Sequence, residues 1–205
     1  MDFTRYEFTL DCDHPDWIAD KRHVEIIHQI LIRNDFKRVA ELGSYTGFST
    51  AAFIEALNQG KDFKLHIIDP CPTKQLRTLI SMCKKPQNVI LHTQKGEDVL
   101  AKWRDFDFVF VDADHSIKGA GADLLMLLRN ETPNIMAHDT NLFNIGNNQG
   151  EGSDLIGRVL SSHKDYMCIE DKKQRPNELT DRGLFFASRE KEKHKIAEEV
   201  FKELC

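Results

Sequence analysis

Residues 39–50, Val-Ala-Glu-Leu-Gly-Ser-Tyr-Thr-Gly-Phe-Ser-Thr, constrain the fold more than any other stretch of the chain. A short apolar run enters a turn carrying Gly43 and Gly47 and continues with helical spacing. This predicts a buried strand, a tight turn and a helix. Gly43 permits a positive-φ turn, and Gly47 removes a Cβ where a ligand or a strand must come close. A helix beginning near Gly47 would direct free N–H groups and its positive dipole end into the turn, which suits a carboxylate or phosphate. The nicotinamide fingerprint places one residue between its first two glycines and two before the third. Here three residues separate two glycines, and the acid Glu41 stands two positions before the first.

The rest of the chain alternates strand and helix patterns. Residues 1–15 read as an irregular or extended arm. Asp16 is placed to cap a helix whose stripe is Trp17, Val24, Ile27 and Leu31. His23 and His28 lie on that helix and read as surface or satisfied polar residues. Strands are expected at 63–69, 88–93, 106–111, 134–137, 166–169 and 184–187. Helices are expected at 73–85, 96–103, 118–130 and 153–163, with a closing amphipathic helix through Leu204. Residues 141–152, rich in glycine and asparagine, read as a mobile loop, and residues 172–182 as a charged one. Together these predict an α/β fold, a doubly wound and mostly parallel seven-stranded sheet with helices on both faces. One domain spans residues 1–205: an arm and helix at 1–35, a core at 36–188 and a C-terminal helix at 189–205.

Acids and histidines gather where the predicted strands end: Asp69, then Gly96-Glu97, then Asp112-Ala113-Asp114-His115, then His138-Asp139-Thr140. In open parallel sheets ligands sit beyond the carboxyl ends of the strands. Asp69 is therefore placed to accept hydrogen bonds from ribose hydroxyls. Polar groups near a core are costly without a partner or a task, so two acids and a histidine after one strand indicate a site.

With 205 residues and a net charge of −5, the chain is long enough for one core and poorly suited to gripping a phosphate backbone. Its five cysteines are odd in number and show no Cys-x-x-Cys spacing, which points to free thiols in a reducing cytoplasm. The N-terminus has no apolar core of signal-peptide type, and no segment reaches transmembrane length.

Taken in order, Glu41-x-Gly43-x-x-x-Gly47, Asp69, Gly96-Glu97, Val111-Asp112-Ala113-Asp114-His115 and Ala137-His138-Asp139-Thr140 resemble a class I S-adenosylmethionine-dependent methyltransferase. The branch most similar holds the small catechol, caffeoyl-coenzyme A and sugar or macrolide O-methyltransferases. The resemblance covers about residues 20–187 and implies a Rossmann-like methyltransferase fold. It places Gly43, Ser44, Tyr45 and Gly47 around the methionine portion of the cofactor. Glu41 would hold the strand-turn geometry or the cofactor's amino group, and Ser49 would bond near its carboxylate. Asp69 would take the ribose, Gly96 and Glu97 would border the adenine, and Asp112 would lie beside the sulfonium.

Metal-dependent members hold magnesium between an acid at the Asp112 position and a pair after strand five. That pair reads His138-Asp139 here, so Asp112 and Asp139 are the ligands implied for Mg2+ or Mn2+, although imidazole suits softer ions. Without a metal, a histidine is the natural base, and His138 is favoured over His115. The implied reaction is methylation of a small-molecule hydroxyl, with no nucleic acid or membrane partner; a homodimer is compatible with it. The rivals are a nucleic-acid methyltransferase, a non-catalytic S-adenosylmethionine-binding module and, least favoured by the glycine spacing, a nicotinamide oxidoreductase.

Overall fold

The computed structural model describes residues 1–13, 19–141, 150–171 and 182–205. The apolar runs form one sheet of seven strands: β1 (Arg38–Leu42), β2 (Lys64–Ile68), β3 (Val89–His92), β4 (Phe108–Val111), β5 (Asn134–His138), β6 (Met167–Asp171) and β7 (Leu184–Ser188). Their order across the sheet is β3-β2-β1-β4-β5-β7-β6. Strands β1 to β5 pair in parallel, and β7 runs antiparallel between β5 and β6. The order reverses between β1 and β4. The chain leaves those two strands in opposite directions, which opens a crevice at their carboxyl ends.

Parallel strands need cover on both faces. Side chains alternate accordingly: Val39, Phe108 and Phe110 enter one apolar layer, while Ala40, Val109 and Val111 enter the other. The first layer is closed by α1 (Lys21–Arg33), α2 (Thr50–Asn58), α3 (Lys74–Ser81) and α7 (Lys191–Leu204). The second is closed by α4 (Gly96–Lys102), α5 (Ile117–Arg129) and α6 (Glu151–Ser162). No helix among the described residues is long and apolar enough to cross a membrane.

The predicted elements are present, with corrections at their edges. The expected N-terminal arm contains a 3-10 helix, Phe3–Leu10, started by the Asp2 carboxylate accepting the Thr4 N–H at 3.1 Å. Tyr6 is fully buried with the α1–α2 layer, and Phe3 packs on Phe48 with ring centroids 5.7 Å apart. Aromatic burial thus holds this segment in the fold, where polar breakers suggested a loose arm. Helix α1 starts at Lys21 with Asp20 at its cap position; Asp16 and Trp17 lie outside the described residues, as do 142–149 and 172–181 of the two predicted loops. Helix α2 runs from Thr50, and its first turn bonds back to Gly47, whose carbonyl accepts the Ala51 N–H at 2.9 Å while its own φ of 96° keeps it outside the helix. His23 and His28, expected at the surface or satisfied, are both buried.

Candidate active site

Strand β1 delivers Glu41 into a fully buried position just below the glycine turn. Its carboxylate accepts from the hydroxyls of Ser44 (3.1 Å), Ser49 (2.7 Å) and Thr50 (2.6 Å). Burial pushes the Glu41 carboxyl up to about 7, although the three hydroxyls pull the other way. Of its two expected roles, Glu41 therefore performs the structural one, tying the start of the turn to the start of α2. Ser49 is a correction, because its hydroxyl is committed to Glu41 and not to a cofactor carboxylate. Thr50 was missed by the sequence reading.

The two glycines serve different neighbours. Gly43 has φ 79°, and a Cβ there would lie 2.2 Å from the Asp112 carbonyl oxygen and 2.6 Å from the Ala113 Cα. Its bare backbone lets the turn after β1 lie directly against the turn after β4. Gly47 also has positive φ, but its Cβ would fall 2.9 Å from Leu79 Cδ2 and 3.1 Å from Leu76 Cδ1. That space belongs to α3, which corrects the expectation that it is kept for a ligand.

Asp69, the first residue past β2, accepts the N–H groups of Ser44 (3.1 Å) and Tyr45 (2.9 Å) on one oxygen and of Cys71 (2.8 Å) on the other. The turn's amides thus do bind a carboxylate, and it is the chain's own. A carboxylate has about four acceptor positions, so one remains on Asp69. Gly96 and Glu97 open α4, where a Gly96 Cβ would sit 2.2 Å from Asp123 Oδ1. Asp123 is a buried acid of α5 that the sequence reading missed, and burial followed by the nearby charge of Glu97 pushes it up to about 7.

A compact ionic cluster lies across the Gly43 contact. Asp112 follows β4, His138 ends β5 and Asp139 follows in a left-handed conformation, φ 61°. His138 Nδ1 is 3.0 Å from Asp139 Oδ1 and 3.5 Å from Asp112 Oδ1. His115 Nε2 lies 3.4 Å from both Asp112 Oδ1 and Asp139 Oδ2. Asp114, between them in sequence, instead accepts the Ser116 N–H at 2.9 Å at the entry to α5.

Arg182 completes the cluster and was missed in the sequence, where it ends the charged loop. Its guanidinium forks onto Asp139, Nε to Oδ1 and Nη2 to Oδ2, both at 2.6 Å. Backbone pairing brings it there: the β5–β7 ladder continues past the strands through Asp139 N–H to Gly183 O (3.0 Å) and Asn141 N–H to Arg182 O (2.9 Å).

Burial opposes charge on every member of this cluster, yet the mutual attraction wins. Asp139 and Asp112 raise His138 to about 10, and Asp112 with Asp139 raises His115. The histidines in turn hold both carboxyls below the usual carboxylate range. His138 therefore carries its proton at neutral pH, and its side chain has 0% exposure, which corrects its assignment as the base. Asp112 and His115, with side chains 11% and 27% exposed, form the accessible face.

Ligand atoms of Asp112, His138 and Asp139 lie within 4.8 Å of one another. They do not fit magnesium, because one donor is imidazole and magnesium requires hard oxygen ligands. Manganese likewise prefers oxygen ligands, and the Arg182 guanidinium on both Asp139 oxygens opposes a dication there. The positive charge that converging acids require is supplied by the chain itself. Asp139, expected as a metal ligand with Asp112, thus has Arg182 as a partner within the chain.

The profile of a family described as a methyltransferase domain matches residues 40–140. No curated protein sequence matches the chain significantly. Among solved structures, it resembles the O-methyltransferase TomG from Streptomyces achromogenes, crystallised with S-adenosylmethionine (17% identity, TM-score 0.69, covering 90% of this chain and 86% of that one). It also resembles an O-methyltransferase from Bacillus cereus in complex with S-adenosylhomocysteine (15%, 0.71, 90% of each chain). A third is the S-adenosylhomocysteine-bound methyltransferase PaMTH1 from Podospora anserina (16%, 0.68, 90% and 86%).

Proposed function

As a chain whose residues 40–140 belong to the methyltransferase-domain family, this protein is, we propose, an S-adenosylmethionine-dependent O-methyltransferase of a small-molecule hydroxyl. The observation that carries this reading is the Gly43–Asp112 contact, which sets the ionic cluster against the glycine turn. S-adenosylmethionine, when bound, supplies a methyl group activated on a sulfonium. The chain's residues fit it: the turn at Gly43–Tyr45 would hold the methionine portion, Asp69 keeps one acceptor position that would take a ribose hydroxyl, and Gly96 with Glu97 would border the adenine. The bound forms of TomG and of the Bacillus cereus and Podospora enzymes support the same cofactor.

Methyl transfer requires the nucleophile to be aligned in line and its proton removed. Asp112 and His115 present the accessible face, so Asp112 orients the acceptor hydroxyl; the two carboxylates favour the protonated form of His115, and its neutral form, which grows as the pH rises, is the one that takes the hydroxyl's proton. The buried charges of His138 and Arg182 offset the negative charge that grows on the oxygen. A net charge of −5 disfavours a nucleic-acid acceptor. All five cysteines are free thiols, which supports a cytoplasmic setting.

The test is a panel of phenolic, catecholic and sugar hydroxyls incubated with S-adenosylmethionine, with S-adenosylhomocysteine formation measured with and without chelator. Turnover is expected with at least one acceptor and is expected to persist in chelator. His115→Ala should lower kcat by about 10²–10⁴, and Asp69→Ala should weaken cofactor binding by about 1–3 kcal/mol. Calorimetry showing that the wild type does not bind the cofactor would sink the assignment.

A further inference from the structure

We propose that His23 is a positioning residue for the methyl-transfer site, its Nδ1 accepting the hydrogen bond that fixes the His138 ring against Asp112 and Asp139. His23 stands in the first turn of α1, remote in sequence from every residue of the cluster. Its Nδ1 lies 2.9 Å from His138 Nε2, both side chains are fully buried, and the two rings meet edge-on with centroids 5.0 Å apart. Nδ1 of His138 lies within ion-pair range of the two carboxylates, and the bond at Nε2 is the directional hydrogen bond that ring makes among the described residues. The charge attraction at Nδ1 alone would let the ring swing about its own bond; the hydrogen bond at Nε2 fixes its plane.

The directions of these bonds follow from the surroundings. His138 has carboxylates at Nδ1, so it is a donor there, and as an imidazolium it donates from Nε2 as well. His23 then accepts at Nδ1, which also lies 3.3 Å from Asp20 Oδ2, and carries its own proton on Nε2, 3.6 Å from Asp171 Oδ2 on β6 and beyond hydrogen-bond range of it. Asp171 is ion-paired with Arg22 of the same helix as His23. Burial first, and then the charges of His138, Arg22 and Arg182, keep His23 well below the ordinary histidine range, in keeping with a neutral acceptor. The His138–His23 hydrogen bond thus ties β5 to α1, with Asp171 of β6 nearby.

The same atoms admit a second arrangement. One ligand atom from each of Asp20, His23 and His138 lies within a 4.8 Å cluster, a donor set of two imidazoles and one carboxylate. The two guanidiniums that depress His23 would oppose a dication on those nitrogens just as they oppose a proton. The hydrogen bond is therefore the arrangement the surroundings favour, and metal binding is an outcome the experiment must distinguish.

The proposal rests on the methyltransferase reading for its kinetic arm only, so the experiment has two arms. Histidine-selective 15N labelling of the full chain should show a His138 ring with a strongly hydrogen-bonded Nε2 proton. That signature should disappear in His23→Leu and reappear in His23→Gln, whose amide oxygen offers an acceptor. With the acceptor found in the panel above, His23→Leu should lower kcat by about tenfold to a hundredfold with the cofactor KM within about twofold of wild type, and His23→Gln should recover most of the loss. Cofactor binding by calorimetry reports whether each variant folds.

A His23→Leu protein that binds cofactor, keeps kcat within twofold and retains the His138 signature would overturn the proposal. So would stoichiometric zinc or manganese binding by the wild type that is lost in both His23→Gln and Asp20→Asn. If no acceptor turns over while the His138 signature responds as expected, the positioning role stands and the reaction assignment fails.

Discussion

Glu41 shows at the scale of one residue how a local motif was legible while its chemistry was not. The acid two places before Gly43 announces the turn, and its burial under three hydroxyls makes it a proton carrier near neutrality. Its folded pKa lies above the unfolded carboxyl value of 4.5, so the folded state holds an extra proton between about 4.5 and 7. Its stabilising contribution is complete below that window and is lost as the pH rises through it. Asp123, also raised to about 7, acts in the same direction. Relative to Glu41→Gln, wild type should therefore lose more stability between pH 5 and pH 8, by roughly 3 kcal/mol at most. Denaturant midpoints at the two pH values measure this; parallel losses in both proteins would show that Glu41 does not titrate there.

At the scale of elements, the crevice depends on how closely the turns after β1 and β4 approach. Gly43→Ala places a methyl group against the backbone of Asp112 and Ala113, which cannot give way as a side chain could. It should cost about 2–4 kcal/mol and move Asp112, lowering cofactor affinity and turnover together. Gly60→Ala is the matched control, with φ 104° but nothing within 4 Å of the added Cβ. It should cost about 1 kcal/mol of backbone strain and leave turnover unchanged. Equal losses at the two glycines by calorimetry and turnover would mean that backbone strain, not the contact with β4, governs the site. Element types were readable from α1 onward, because helix and strand periods are written in consecutive side chains; the 3-10 helix of the arm was not. The starts of α1 and α2 were not: Asp16 and Asp20 are alike as caps, and only the positive φ at Gly47 delays α2 to Thr50.

For the whole molecule, a ligand that spans the crevice must stabilise the fold that forms it. S-adenosylhomocysteine at about 100 times its dissociation constant should add about 2.7 kcal/mol. For a chain of 205 residues that corresponds to a rise in Tm of about 5–10 °C. A nicotinamide dinucleotide at the same concentration should leave Tm unmoved; a scanning melt giving the reverse order would return the glycine turn to the rival reading. The sequence by itself determined the alternation of strand and helix, the seven-stranded sheet, the glycine turn, and the gathering of Asp69, Asp112, His115, His138 and Asp139 at one sheet edge. Each of these depends on local spacing, and the carboxyl ends of parallel strands necessarily share one edge. Only the tertiary structure decided what those residues do. Arg182 reaches Asp139 because β7 pairs antiparallel beside β5, and His23 reaches His138 because α1 packs across the same face. Those two contacts give the expected metal pair a counter-charge from within the chain and turn an expected base into a fixed cation. Protonation and ion pairing depend on which charges meet in a buried space, and sequence spacing carries no record of that meeting.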